Sequence, residues 1–154
     1  MERVPLIRED YNNTSRRCYE IKKPDIPSGS TYYFETDSKL TYQVTFGKKK
    51  NNYLGNIINF SVISEEFEDE YSETNKGEVY SIIATMIEII KIYHNNHPYS
   101  NSYEFSGEFK DHRDSQTSSI RSRLYFREAN RLVDKRFWNI DLLENKVLLT
   151  RKPT

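Results

Sequence analysis

Three stretches in the first half of the chain alternate between hydrophobic and polar residues in the manner of β-strands. They are TYYFETD at 31–37, LTYQVTF at 40–46 and NYLGNIINFSVI at 52–63. In the second stretch Leu40, Tyr42, Val44 and Phe46 alternate with polar residues, as expected for a sheet that buries one face. Turn residues separate the stretches, so the pattern predicts three antiparallel strands in a meander.

The spacing of the hydrophobic residues becomes longer after Gly77, in EVYSIIATMIEIIKIYHNN at 78–96. With about 3.6 residues per turn, the apolar residues of this stretch share one wide arc of a helix. The residues opposite that arc include Ser81, Glu88 and Lys91. The pattern predicts a core helix that ends at the Asn-Asn-His-Pro sequence ahead of residue 99.

The remaining segments predict one more strand, one more helix and a hairpin. The strand is SYEFSGEF at 102–109, the helix runs from 118 to 135, and the hairpin consists of FWNIDLL at 137–143 and KVLLTRK at 146–152. The order is therefore β-β-β-α-β-α-β-β, in which strands and helices do not alternate strictly. That order favours an α+β domain with a largely antiparallel sheet and two helices packed on one face.

Length and composition limit the number of domains that the chain can form. The 154 residues suffice for one sizeable core, while the first 29 contain three of the five prolines and many charges. We therefore predict a polar arm over 1–29 and a single α+β domain over 30–154. The lone Cys18 excludes an internal disulfide, and residues 1–29 contain no apolar segment that resembles a signal peptide. These features predict a cytoplasmic protein that does not span a membrane.

The chain has 23 basic and 23 acidic residues, so no global field draws it towards nucleic acid, which is a disfavoured partner. The charge is nevertheless unevenly placed. Residues 65–78 contain seven acids and one lysine, whereas residues 115–136 contain six bases and two acids. The two segments either face each other or face partners.

Motifs for cofactor chemistry are missing from the sequence. It has no glycine-rich phosphate loop and no nucleophile elbow, and we predict no cofactor and no metal. His94 and His97 stand three apart and would share a helix face as a metal pair, but the helix ends there, which favours a capping or surface role. His112, between Asp111 and Asp114, is either an acid–base group or part of a charged loop.

The second predicted helix carries a stripe of arginines. Arg123, Arg127 and Arg131 are spaced by four and lie on one side, facing away from the core. The opposite arc consists of Tyr125, Phe126, Ala129, Leu132 and Val133, which we expect to dock on the sheet. Arg121 projects at the margin of that arc, one turn before Tyr125. It either pairs with an internal carboxylate or binds an anion.

The second half of the chain, over about 76–136, resembles small uncharacterised domains encoded by bacteria, phages and mobile elements. The resemblance rests on GEVYSIIATMIEII, YEFSG and IRSRLYFREANR. The matching positions are Gly77, Phe105, Ser106, Arg121, Leu124, Tyr125 and Arg127. The resemblance implies a shape and a candidate site but no reaction.

Three hypotheses of function follow. The first is a non-enzymatic binding module that presents Arg123, Arg127 and Arg131, with the corner formed by Arg121 and Tyr125, to an acidic protein or a phosphate-bearing ligand. The second is a small enzyme, a transferase or a nuclease-like hydrolase, in which Arg121 holds an anion near Ser106 and His112. The third is a homodimer in which the acidic segment of one copy meets the arginine stripe of another.

Overall fold

The structure is a computed structural model that describes residues 4–8, 18–63, 76–106, 115–143 and 146–153. Its strands are β1 Thr31–Glu35, β2 Thr41–Lys49, β3 Asn52–Val62, β4 Ser102–Ser106, β5 Trp138–Leu143 and β6 Lys146–Arg151. Its helices are α1 Lys76–Asn96 and α2 Ser115–Leu132. The predicted α+β class and the predicted order of strands and helices are confirmed.

The six strands form one sheet in the order β1-β2-β3-β4-β6-β5. Strands β1 to β3 form the predicted meander, and β5 with β6 forms the predicted hairpin. The pair β3 and β4 is the one parallel pair among these strands. Parallel neighbours need a crossover connection, and α1 lies in the connection between these two strands.

One face of the sheet contains the core. A row of buried side chains crosses four strands through Phe46, Ile58, Phe105 and Val147, each paired in register with the next. The opposite face carries polar residues such as Thr45, which is half-buried and pairs with an exposed asparagine on β3. The alternation in the sequence therefore corresponds to a sheet with one packed face.

Both helices pack on this buried face through aromatic rings. On α1, the Tyr93 ring stacks on Phe46 with centroids 3.9 Å apart. On α2, the Tyr125 ring meets Phe60 and Phe105 edge-on, at 5.4 and 6.0 Å. The three phenylalanines share one face of the sheet, so the two helices lie side by side above it, as predicted.

A single buried amide joins three strands and a helix. Asn56 on β3 is fully buried, and its Oδ1 accepts hydrogen bonds from the Tyr93 hydroxyl at 2.9 Å and from Lys48 Nζ at 3.3 Å. Its Nδ2 donates to the backbone oxygens of Ser102 at 3.2 Å and of Leu54 at 3.4 Å. All the hydrogen-bonding positions of the amide are thereby satisfied, so the polar group is buried at little cost.

The second helix ends earlier than the sequence predicted. We expected it to run from 118 to 135, whereas it covers Ser115–Leu132. The chain leaves the helix because Val133 forms an antiparallel bridge with Ile7, and the Asp134 amide donates to the Leu6 oxygen at 2.9 Å. An amide bonded to another strand of chain cannot continue the helical ladder.

The described parts of the first 29 residues contribute to the core. Val4, Leu6, Ile7 and Tyr19 are buried there. Lys22 exchanges two backbone hydrogen bonds with Tyr33 of β1, at 2.8 and 3.1 Å. The N-terminal part of the chain is thus attached at both ends of the sheet, beside β1 and near β5.

We expect Asn56→Ala to lower the free energy of unfolding by about 1–3 kcal/mol, because it leaves the Tyr93 hydroxyl and a backbone oxygen without their buried partner. Asn59→Ala is the matched control, since this asparagine lies exposed on the other face of the same strand. The control should stay within about 0.5 kcal/mol of the wild type. Urea unfolding measures both, and equal losses in the two variants would contradict the role assigned to Asn56.

Candidate functional site

Residues 4–8 lie across the end of α2 and the start of β5. Four contacts hold their backbone in place. The Val4 oxygen accepts from His94 Nε2 at 3.1 Å, the Pro5 oxygen from Trp138 Nε1 at 3.1 Å, and the Leu6 oxygen from the Asp134 amide. The Arg8 amide donates to the Leu132 oxygen at 2.9 Å. We call residues 4–8 the N-terminal strap, and these contacts place Arg8 at the end of α2.

Arg8 completes the C-terminus of α2. Its backbone amide bonds the Leu132 oxygen, and its Nη1 donates to the Arg131 oxygen at 3.2 Å. The last carbonyls of a helix have no partner within the helix and carry partial negative charge. The Arg8 guanidinium donates a hydrogen bond to such a carbonyl and also compensates its negative charge. This contact places the positive charge of Arg8 next to the arginines of α2.

A cleft of about 550 Å³ opens where the strap, the end of α2 and the turn before β5 meet. Its walls are formed by Arg8, Asn130, Arg131, Val133, Asp134, Lys135 and Arg136. Four of these side chains are cationic and one is a carboxylate. The cleft therefore carries a local excess of positive charge in a chain whose formal net charge is zero.

The carboxylate of the cleft is committed to one arginine. Asp134 is buried, and its two oxygens accept from Arg136 Nε at 3.0 Å and from Arg136 Nη2 at 2.7 Å. The Arg136 backbone amide also donates to it, at 3.1 Å. The side-chain hydrogen bond from Arg136 holds the pKa of Asp134 below its ordinary value, so the carboxylate stays ionised. The pair fixes the guanidinium of Arg136 at the wall of the cleft.

Arg131 is oriented in a similar way. Its Nη2 donates to Glu128 at 3.0 Å, and the glutamate is buried while the arginine side chain is half exposed. Arg127, one turn earlier, lies 3.9 Å from the same carboxylate and donates to the Tyr80 hydroxyl of α1 at 2.7 Å. The two arginines share one internal carboxylate, so the surface on this side of α2 stays basic.

His94 links the strap to the core. Its ring is buried, with Nδ1 2.6 Å from the Tyr103 hydroxyl and Nε2 3.1 Å from the Val4 oxygen. A carbonyl only accepts, so Nε2 carries the proton and Nδ1 accepts from Tyr103. Burial raises the pKa of Tyr103, which keeps its hydroxyl a donor. Burial also lowers the pKa of His94, so the neutral ring, in which Nδ1 accepts from Tyr103, is the favoured form.

This placement of His94 corrects the surface or capping role expected from the sequence. The pair with His97 is not a metal site either, because the His97 ring stacks on Tyr93 and its nitrogens bond the Tyr93 and Ser28 oxygens. Within the described ranges, no group of three or more histidine, cysteine or acidic side chains is arranged to hold a metal ion.

The predicted arginine stripe lies on the exposed side of α2. Arg123 is exposed, and the side chains of Arg127 and Arg131 are 61% and 51% exposed. Only Arg131 of the three lines the cleft. Tyr125 is buried among core rings, so it does not share the surface of the stripe. The predicted docking arc of α2 does face the core, since Tyr125, Ala129, Leu132 and Val133 are all buried.

For three predicted site residues the structure describes no side chain. His112 is outside the described residues, and nothing is described of the side chains of Arg121 and Ser106. The proposed grouping of Arg121 with Ser106 and His112 therefore stays a prediction.

The sequence did not single out the residues that complete the cleft. Arg8 is 123 positions away from Arg131 along the chain, and no pattern links the two. Lys135 and Arg136 belong to the basic segment at 115–136, but the sequence interpretation assigned them no site. A helix ending at residue 132 would have placed both on a turn beside the stripe.

Comparison of the chain with protein-family models, with curated proteins and with solved structures returned no match. The resemblance to domains of phages and mobile elements therefore stays a prediction. Neither helix, over the part of the chain that is described, has the combination of length and apolar character needed to cross a bilayer.

The stability of the protein should depend on pH through His94. Its pKa is lowered on folding, so below about pH 6.5 the unfolded chain binds a proton that the folded chain does not. The free energy of unfolding should therefore fall as the pH decreases below about 6.5, and more steeply than in His94→Gln. Urea unfolding at several pH values measures the difference, and parallel curves for the two proteins would contradict it.

The Asp134 carboxyl should titrate below its ordinary value of 3.8. The stabilisation that Arg136 gives it is present at neutral pH and is lost as the pH falls through the lowered pKa. Arg136→Gln should move the titration upward, whereas Lys135→Gln, which removes a neighbouring charge, should move it much less. Carbon-detected NMR follows the carboxyl directly. An unchanged midpoint in Arg136→Gln would show that the hydrogen bonds do not set the pKa.

Proposed function

We propose that this protein is a non-enzymatic binding module that recognises an anionic partner through the cleft at the end of α2. The observation that carries the proposal is the composition of the cleft, where Arg8, Arg131, Lys135 and Arg136 surround a single carboxylate. Asp134 is itself used to hold Arg136, so it orients a cation while neutralising part of the charge. The cleft retains a positive excess.

The chemistry of the arginines supports an anion as the partner. A guanidinium has five N–H donors in a rigid plane, so one side chain can bond the protein and a ligand together. Arg131 and Arg136 are each anchored by an internal carboxylate, which reduces the conformational freedom lost when a ligand binds. Three guanidiniums around one cleft suit the oxygens of a carboxylate or a phosphate.

The basic surface continues beyond the cleft. Arg127 and Arg123 extend it along α2, and Lys152, whose Nζ donates to the Lys135 oxygen at 2.6 Å, extends it towards β6. An acidic protein could contact this whole surface, while a small anion would occupy the cleft alone. We infer a cytoplasmic protein, for which the lone Cys18 is the supporting feature.

A homodimer is the second candidate, and the sequence offers a reason for it. Residues 65–78 contain seven acids, so another copy of the chain could supply the anion. Light scattering at low and high salt distinguishes this case, because exposed charge pairs are screened and such a dimer would dissociate as salt increases. A monomer at both salt concentrations would rule it out.

Neutralising two cations of the cleft should weaken anion binding at least about tenfold, since each charge-assisted hydrogen bond contributes about 1.5–3 kcal/mol. The test variant is Arg131→Gln with Lys135→Gln, both exposed in the structure. The probes are inorganic phosphate and a glutamate-rich peptide, followed by NMR titration.

The matched control for this prediction is Lys23→Gln with Lys50→Gln, which removes the same charge from exposed positions that neither line the cleft nor belong to the basic surface of α2. The control should bind like the wild type. Equal loss in both variants would show attraction by overall charge only, and failure of the wild type to bind either probe would overturn the proposed function.

A further inference from the structure

The walls of the cleft come from two parts of the chain that are far apart in sequence. Arg8 belongs to the strap, whereas Arg131, Asp134, Lys135 and Arg136 belong to the end of α2 and the turn that follows. These residues line one cleft only when the strap is docked against the end of α2. A ligand that contacts both walls therefore contacts two elements that are joined only through tertiary contacts.

The attachment of the strap at the cleft is made by backbone hydrogen bonds. The Arg8 amide donates to the Leu132 oxygen, and the Asp134 amide donates to the Leu6 oxygen, each at 2.9 Å. The bridge between Ile7 and Val133 lies between these bonds. Asp134 thus takes part twice, because its amide holds the strap while its carboxylate holds Arg136. The two walls of the cleft are coupled through this one residue.

We infer that the cleft binds a phosphomonoester group, and that its binding and the docking of the N-terminal strap stabilise each other. The inference rests on the proposed function, which it deepens by naming the ligand class and the element that responds to it. Arg8 is the group through which the response occurs, since it lies on the strap and lines the cleft.

A phosphate fits the cleft better than a carboxylate does on grounds of charge. Four cations face one carboxylate that already has a partner, so the cleft has an excess of three positive charges among its lining residues. A phosphomonoester carries close to two negative charges at neutral pH and three acceptor oxygens. It can accept from Arg8, Arg131 and Arg136 together, whereas a carboxylate has one charge and two oxygens. A cleft of about 550 Å³ has room for a small phosphorylated molecule.

The coupling follows from the geometry and from linkage. A ligand that bonds Arg8 and the arginines of the opposite wall binds the docked strap more tightly than an undocked one. It must then shift the equilibrium of the strap towards the docked form, by as much as docking increases its own affinity. The bonds that report on docking are those from the Arg8 and Asp134 amides.

The experiment uses the full chain, with phenyl phosphate as the probe and benzoate as its carboxylate counterpart. NMR measures affinity, and hydrogen exchange measures the opening of the two reporter amides, Arg8 and Asp134. We expect phenyl phosphate to bind at least tenfold more tightly than benzoate and to slow exchange at both amides. The amide of Ile58, in the centre of the sheet, is the internal reference and should change little.

Arg8→Gln provides the decisive variant, because Arg8 is exposed and its removal leaves the backbone bonds of the strap in place. It should weaken phenyl phosphate binding about tenfold or more and abolish the slowing of exchange, while Arg123→Gln should do neither. Two results would overturn this inference and leave the proposed function standing. The first is that phenyl phosphate binds the wild type without slowing exchange at the two reporter amides. The second is that it binds Arg8→Gln as tightly as it binds the wild type. Benzoate bound as tightly as phenyl phosphate would overturn the ligand class. Binding of neither probe would overturn both proposals.

Discussion

The fold depends on how a parallel pair of strands is placed inside an otherwise antiparallel sheet. The pair formed by β3 and β4 requires α1 to cross over the sheet, and the amide of Asn56 lies where these elements meet. It bonds the tyrosine of α1, the lysine of β2 and the backbone at the start of β4. An unsatisfied amide here would cost more than any one of these bonds contributes, so the arrangement holds only when all the partners are in place.

A continuous series of contacts leads from that amide to the cleft. Asn56 bonds the Ser102 oxygen, and the next residue, Tyr103, donates to His94. His94 donates in turn to the Val4 oxygen, and the strap then runs to Arg8. Buried polar groups thus anchor the start of the strap at Val4, and the bonds to Leu132 and Arg131 place Arg8 at its end. Three links of the series are hydrogen bonds, from Asn56 to Ser102, from Tyr103 to His94 and from His94 to Val4, and the remaining links follow the covalent chain.

Local patterns in the sequence predicted the strands and helices well, and long-range contacts explain what they missed. The alternation at Tyr42, Val44 and Phe46 predicted a buried face because side-chain direction in a strand depends only on neighbouring residues. The end of α2 was misplaced because Val133 is apolar and suits a helix, whereas its bridge to Ile7 depends on a segment remote in sequence. The same bridge places Arg8 and explains why the cleft was only partly foreseen. The stripe supplied Arg131, and tertiary contacts supplied the rest.

The internal carboxylates near the cleft have two opposite consequences for the anion binding that we propose. Glu128 and Asp134 reduce the positive charge available to a ligand, but they also hold Arg131 and Arg136 in defined orientations. An arginine without such a partner would lose more side-chain entropy when it bound an anion. Four cations and one carboxylate line the cleft, so a net positive charge remains after the internal ion pairs are formed. In the binding module that we propose, this pairing favours a defined anion bound by several side chains over attraction by overall charge, which is the difference that the charge-matched variants measure.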